Sequence, residues 1–331
     1  MDDITTTETS VISTSPAPRT RVAPWLGIGV SGEWDDYRDA LHAAELDFEV
    51  EQKQLFYEAE RGLGSTGVAM VYKEPAPMFA NLRGTDGKLL GCVTPQYRVI
   101  QNEEAFKILE PFTAAGGIIT HAGMTEQGLV FMVARMGAGT ILGDGYEFDV
   151  MCCNSFNARF PLSLVMTPMR IICQNMYRKL MGNHDCLLRV RHMSKASDRL
   201  KAASRAVSGI GSYTSAFQLT LEQARSNAIS APQLNDMVEY LFPYPKPGGE
   251  RETTSRERVD YMRAMFMEEY YNAPDNMKFH GTGMGFLNAY FDFLTHRDPG
   301  KLMPGSWDDR RLSQLVSGDV VKTRLIQEAI G

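Results

Sequence analysis

Between residues 88 and 173 the chain runs through short apolar segments, each closed by a turn signal, and this punctuation constrains the fold most. Asp86-Gly87 precedes the apolar run at 88–93, a strong turn signal ahead of a strand. Residues 118–122 and 129–135 read as two arms of a hairpin around Thr125, Glu126, Gln127 and Gly128. Residues 146–154 and 162–173 read as two further strands. Between them, Asn102 precedes Glu103 and Glu104, which predicts a helix N-cap with acids on the first turn. That helix continues through Phe106, Ile108, Leu109 and Phe112 and stops at Gly116-Gly117.

After residue 173 the period changes. Residues 191–227, 232–242, 257–271, 283–296 and 320–330 carry apolar groups at helical spacing. A Pro- and Gly-rich loop lies at 243–249. The expected fold class is α+β, with an antiparallel sheet in the N-terminal half and a helical C-terminal half. The expected organisation is a Ser/Thr/Pro-rich disordered tail at 1–20, a sheet domain at 21–190 and a helical region at 191–331. Earlier in the chain, 35–46 has helical spacing and 48–57 alternates weakly, as a strand does. The helix around Asn288 carries Phe286, Leu287, Tyr290, Phe291 and Leu294. It is too apolar for a free surface and is expected to bury.

Charge is distributed unevenly. The 331-residue chain has a formal net charge of −6, yet residues 170–205 hold nine lysines and arginines against Asp185 and Asp198, a net of +7. A local excess of this kind is the footprint of a polyanion-binding surface, and it is also what a solvated helix face looks like. The acidic remainder restricts any nucleic-acid surface to one place. Five cysteines, an odd count with no CxxC, fit reduced thiols in a cytoplasm. No apolar run is long enough for a membrane span, and residues 1–20 lack the pattern of a secretory signal. Cytoplasmic location is therefore expected.

Two polar clusters carry candidate contacts. Tyr97, Arg98, Gln101 and Asn102 form the first: Tyr97 could stack on a base and Arg98 neutralise a phosphate. Equally, Tyr97 could be core and Asn102 a cap. Arg170, Cys173, Gln174 and Asn175 form the second, where a strand hands over to the basic region. Arg170 could grip a phosphate while Gln174 and Asn175 touch sugar or base edges. The alternative is that Asn175 caps a helix, Gln174 ties down a loop and Arg170 is a buried structural arginine. Arg178, Lys179, Arg189, Arg191 and Lys195 complete the candidate nucleic-acid surface. Cys173 with His184 or His192 is the best nucleophile–base pair for an enzyme, although a lone Cys at a strand end is more often core. No Gly-Lys-Ser/Thr follows Gly62, Gly64 and Gly67, so no P-loop is present, and no metal-ligand spacing occurs. No cofactor is expected.

The segments Tyr-Arg-x-x-Gln-Asn (97–102) and Pro-x-Arg-x-x-Cys-Gln-Asn (168–175) make the chain resemble the phage/plasmid-like proteins of the domain-of-unknown-function 932 family. So do Pro24-Trp25-Leu26-Gly27, residues 44–50, and the Gly281-Thr282 to His296-Arg297 stretch. Met284-Gly285 departs from the pattern, and 73–82 is irregular. The resemblance implies a protein of phages, prophages or plasmids. Its strand–helix–meander–helix order is distantly similar to phage single-strand annealing proteins. The functional expectation is single-stranded DNA binding or annealing in recombination or replication, with homo-oligomers possible. A phage structural or interaction protein, in which the basic run faces an acidic partner, and an enzyme using Cys173 stand as alternatives.

Overall fold

The protein is described by a computed structural model covering residues 23–63, 69–192, 207–245, 247, 252–296, 307–317 and 321–331. The fold is α+β, with antiparallel sheets first and helices after. The 1–20 tail and Lys195 lie outside the described residues.

A seven-stranded sheet forms the centre. Its strands are β1 (Val30–Trp34), β5 (Ile118–Met124), β6 (Leu129–Ile141), β7 (Asp144–Ser155), β8 (Leu162–Arg170), β9 (Asn175–Met176) and β10 (Cys186–Val190). The order is β1-β5-β6-β7-β8-β10, all antiparallel, with β9 pairing the far end of β8. Strand β8 is buried at every position, as a strand covered on both faces must be. A second sheet holds β2 (Val50–Leu63), β3 (Ala69–Arg83) and β4 (Leu89–Val93), in that order. Its base is fastened to the β7–β8 loop, where Asn81 Nδ2 donates to the Phe156 carbonyl at 2.6 Å.

Helix α1 (Tyr37–Ala43) starts at Asp36, whose carboxylate accepts from the Arg38 amide. The expected helix after Asn102 is present as α2 (Asn102–Phe106), a 3-10 turn and α3 (Glu110–Ala114). Asn102 is the first helical residue rather than its cap, because its amide is drawn across to the Leu46 carbonyl at 2.8 Å. Helices α4 (Ile210–Ser226), α5 (Ala231–Leu241), α6 (Glu252–Asn272), α7 (Gly283–His296), α8 (Trp307–Ser317) and α9 (Thr323–Ile330) follow. Ser230 and Gln233 close a capping box on α5. All fourteen residues of α7 are buried, and β9, α4, α6, α8 and α9 pack around it.

Three local expectations change. The strand predicted over 162–173 ends at Arg170, and Cys173 lies in the following turn, where Gln174 has φ +52°. The chain does not pass from there directly into a helix: β9 and β10 intervene. Strand β2 is far longer than the weak alternation at 48–57 implied, because β3 supplies a full-length partner.

Candidate nucleic-acid interface

Burial divides the candidate residues into two sets. Arg170 is fully buried at the end of β8. Its Nη2 and Nε donate to Asp144 Oδ2 at 2.7 and 3.1 Å, and its Nη1 donates to Asp275 Oδ2 at 2.6 Å. Nη2 also reaches the Asp275 carbonyl at 2.9 Å, and Lys278 Nζ holds the other Asp144 oxygen at 2.6 Å. A guanidinium committed to two carboxylates and a carbonyl has no face left for a phosphate. The structural alternative raised for Arg170 is the observed one.

Its neighbours are engaged in the same way. The Ala23 amide donates to Gln174 Oε1 at 2.9 Å, tying down the chain that leads into β1. Asn175 is buried, donates to the Asn288 carbonyl, and takes a bond from His296 Nε2 at 3.1 Å. His296 Nε2 shares that proton with the Cys173 carbonyl at 2.8 Å. Arg178 is buried 3.8 Å from Asp185, whose other oxygen accepts from the Tyr213 hydroxyl at 2.6 Å. Burial pushes the Asp185 carboxyl up to about 6, against the pull of Tyr213 and Arg178. Lys179 is half-buried with φ +61°, and its carbonyl accepts from the Gly182 amide. Burial pushes the Cys173 thiol up to about 12, the opposite direction from an activated nucleophile.

Tyr97 is also interior. Its hydroxyl donates to the Ser155 carbonyl at 2.6 Å, and its ring stacks on His192 with centroids 4.6 Å apart. Gln101 bridges Val50 with both ends of its amide.

The second set lies on the surface, on segments next to Tyr97, on β10 and on the β7–β8 loop. The Arg98 amide donates to the His192 carbonyl at 2.7 Å, leaving the Arg98 side chain exposed. Arg189 and Arg191 are exposed at alternate positions of β10 and its end, so period-two geometry gives them one face. Arg189 pairs in register with Ser163, and Val190 with Leu162. Upstream of Leu162 the β7–β8 loop carries Arg159, which the sequence reading did not single out. That loop is well braced. Asn157 Oδ1 accepts from the Arg159 amide at 3.1 Å, and Ser155 Oγ bonds both the amide and the carbonyl of Phe160. His192 Nε2 lies 3.3 Å from the same Phe160 carbonyl. Arg159 is exposed beside the Phe160 ring. Among the described residues, Arg98, Arg159 and Arg189 form no ion pair. The only sequence signal for Arg159 was a cation in a tight turn between two apolar strands.

The arrangement is therefore a set of exposed arginines near the β10 edge, with Tyr97 interior below Arg98, while the Pro-x-Arg-x-x-Cys-Gln-Asn segment lies at the other end of β8. Among the described residues no group of side chains suits a metal ion, and no helix is long and apolar enough to cross a membrane.

The family model described as "Domain of unknown function (DUF932)" matches residues 89–326, and the chain belongs to that family. Comparison with curated proteins and with solved structures returned no match.

Proposed function

We propose that this chain is a phage- or plasmid-encoded protein that binds nucleic acid, single-stranded DNA first, in recombination or replication. The observation that carries the reading is that Arg98, Arg159 and Arg189 are exposed on segments that meet at the β7–β8 loop and β10, and that among the described residues no carboxylate pairs with any of them. Unpaired guanidinium groups on a chain of net charge −6 need a polyanion nearby more than an acidic surface needs three idle cations. The family resemblance supports the genetic setting.

Contact is by backbone neutralisation. Tyr97 is interior, so it stacks no base in this conformation. The 170–205 excess also contributes less than its +7 implies, because Arg170 and Arg178 are consumed inside.

Fluorescence anisotropy with a single-stranded oligonucleotide at several salt concentrations tests the reading. Three phosphate contacts give a slope of log affinity against log salt of about −2. Replacing Arg98, Arg159 and Arg189 together by Ala flattens that slope while the melting curve stays in place. Absence of any affinity at ~50 mM salt, where phosphate contacts are strong, removes the proposal and leaves an acidic protein as the partner of these arginines.

A further inference from the structure

The β2–β3 hairpin is an arm with one edge that no other described strand pairs. Strand β4 supports β3 only between Phe79 and Leu82, so the ribbon from Leu55 outward is two strands wide. Nine residues of β2 at 3.3 Å each give it a reach of roughly 30 Å. No described side chain from 51 to 59, or from 72 to 79, is buried. Phe56 is 59% exposed, and Tyr57, Tyr72 and Met78 are exposed beside it. A two-stranded ribbon with no core is marginal in water, whereas three or more strands are not.

The two edges of the ribbon differ. On β3, Pro75 and Pro77 remove amide donors, and two extra residues bulge where Gln54 pairs Phe79 but Phe56 pairs Pro75. The Gln54 side chain fills that bulge by donating to the Ala76 carbonyl. Prolines and a bulge are how proteins close an edge to added strands. Strand β2 contains no proline and, among the described residues, has β3 as its only strand neighbour.

The free edge already shows what it accepts. The Val50 amide donates to Gln101 Oε1 at 2.9 Å, and Gln101 Nε2 donates to the Val50 carbonyl at 3.0 Å. A side-chain amide here imitates one rung of a strand. Val50 therefore turns its backbone polar groups away from β3, and the period of two turns those of Gln52, Gln54, Phe56 and Glu58 the same way. No hydrogen bond reaches those four residues' outward groups among the described residues.

We propose that this edge pairs with the same edge of a second copy of the chain, antiparallel across a two-fold axis at Phe56. The register follows from symmetry. Phe56 lies opposite Phe56, Leu55 opposite Tyr57, Gln54 opposite Glu58 and Lys53 opposite Ala59. Residues 51 and 61, Glu and Arg in the sequence, become register partners. Like charges are nowhere opposed, and Phe56 forms a hydrogen-bonded pair with its own copy. The two ribbons become one four-stranded sheet. The arm lies outside residues 89–326, the segment that the family model matches.

Light scattering on the full chain, without nucleic acid, reads the assembly. The wild type is expected at twice the chain mass, and Phe56→Lys, which opposes two cations across the axis, at the chain mass with an unchanged circular dichroism spectrum. A Phe56→Cys variant in a Cys92→Ser background is expected to form a disulfide-linked dimer on mild oxidation, because directly opposed strand residues lie within disulfide reach. Leu219→Cys, equally exposed but on α4, is expected not to. A monomeric wild type overturns the proposal, as does a dimer that survives Phe56→Lys without crosslinking at 56. None of these outcomes depends on whether the exposed arginines bind DNA.

Discussion

Arg170 and Asp275 meet at 2.6 Å although 105 residues separate them, and this contact joins the last residue of β8 to the segment that leads into the buried helix α7. The Pro-x-Arg-x-x-Cys-Gln-Asn segment thus reads as a clasp between sheet and helices. Arg170 takes Asp144 and Asp275, Asn175 takes Asn288 and His296, and the Met176 amide donates to Thr295 Oγ1.

Arg170→Ala leaves two carboxylates without their guanidinium in a buried site. Loss of one partner of a buried ion pair costs about 3–5 kcal/mol, and urea denaturation should show a loss of that order. Arg170→Lys rescues only part of it, because an ammonium cannot reproduce the forked contacts. Oligonucleotide affinity of the folded fraction stays at the wild-type value. A stable Arg170→Ala protein that has lost binding would make Arg170 a phosphate contact after all.

Tyr97 and Arg98 are adjacent but should separate cleanly. Tyr97→Phe removes the hydroxyl that the Ser155 carbonyl accepts, a loss of about 1–3 kcal/mol, since that carbonyl is left buried. It leaves the salt dependence of DNA binding alone. Arg98→Ala does the reverse, lowering the magnitude of the salt slope by about 0.7 with no change in the melting temperature. Matched thermal melts and anisotropy titrations on the two variants check both halves.

Gly283 opens α7 where three segments converge. A Cβ there would overlap the Ala329 carbonyl oxygen of α9 and come within 3.0 Å of the Ala224 carbonyl of α4. Both obstacles are backbone, so neither can swing aside. Gly283→Ala should cost at least the 1–3 kcal/mol typical of overpacking, despite the better helix propensity of alanine. The melting temperature measures it, and an unchanged value would mean that α9 docks more loosely than described.

Asp149 makes stability depend on pH. It is buried on β7 with Arg135 Nε at 3.5 Å, and burial pushes its carboxyl up to about 7 from an ordinary 3.8, against the pull of Arg135. In the folded state the group keeps its proton longer than in the unfolded state. Its contribution is therefore full below pH ~4 and is lost as pH rises through about 7. The loss is at most about 1.4 kcal/mol per pH unit crossed. Asp149→Asn carries no titrating proton, so its melting temperature relative to wild type should climb between pH 4 and 7 and level off above. A difference that stays flat across that range would show that Arg135 holds Asp149 ionised throughout.

Legibility in the sequence followed the range of the interactions involved. Helix α7 was plain because Phe286, Leu287, Tyr290, Phe291 and Leu294 leave only a narrow polar stripe at Asn288, Asp292 and Thr295, and the hairpin at Gly128 because its turn chemistry is local. Strand β10 was hidden. Leu188 and Val190 alternate with Arg189 and Arg191, and in a window read for charge that alternation passes for a basic helix. Strand β3 was obscured by Pro75 and Pro77, which argue against a strand until its bulge is seen. The roles of Arg170 and Asn175 had no local signal, because Asp275 and Asn288 lie more than a hundred residues away. Arg98 and Arg189 were visible as charges, while Arg159 depended on how the β7–β8 loop brings it beside them.

The complete burial of α7 also governs the order of events during synthesis. Its cover comes from both directions along the chain: from β9 and α4 before it, and from α8 and α9 after it. The Lys322 amide reaches back to the Tyr290 hydroxyl at 2.6 Å, and α9 closes over Gly283. A nascent chain that has released α7 but not yet α9 presents a largely apolar helix of fourteen residues with one side uncovered. The interval before residues 323–330 leave the ribosome is then the window in which this protein most needs a chaperone, and removing those eight residues should make that window permanent.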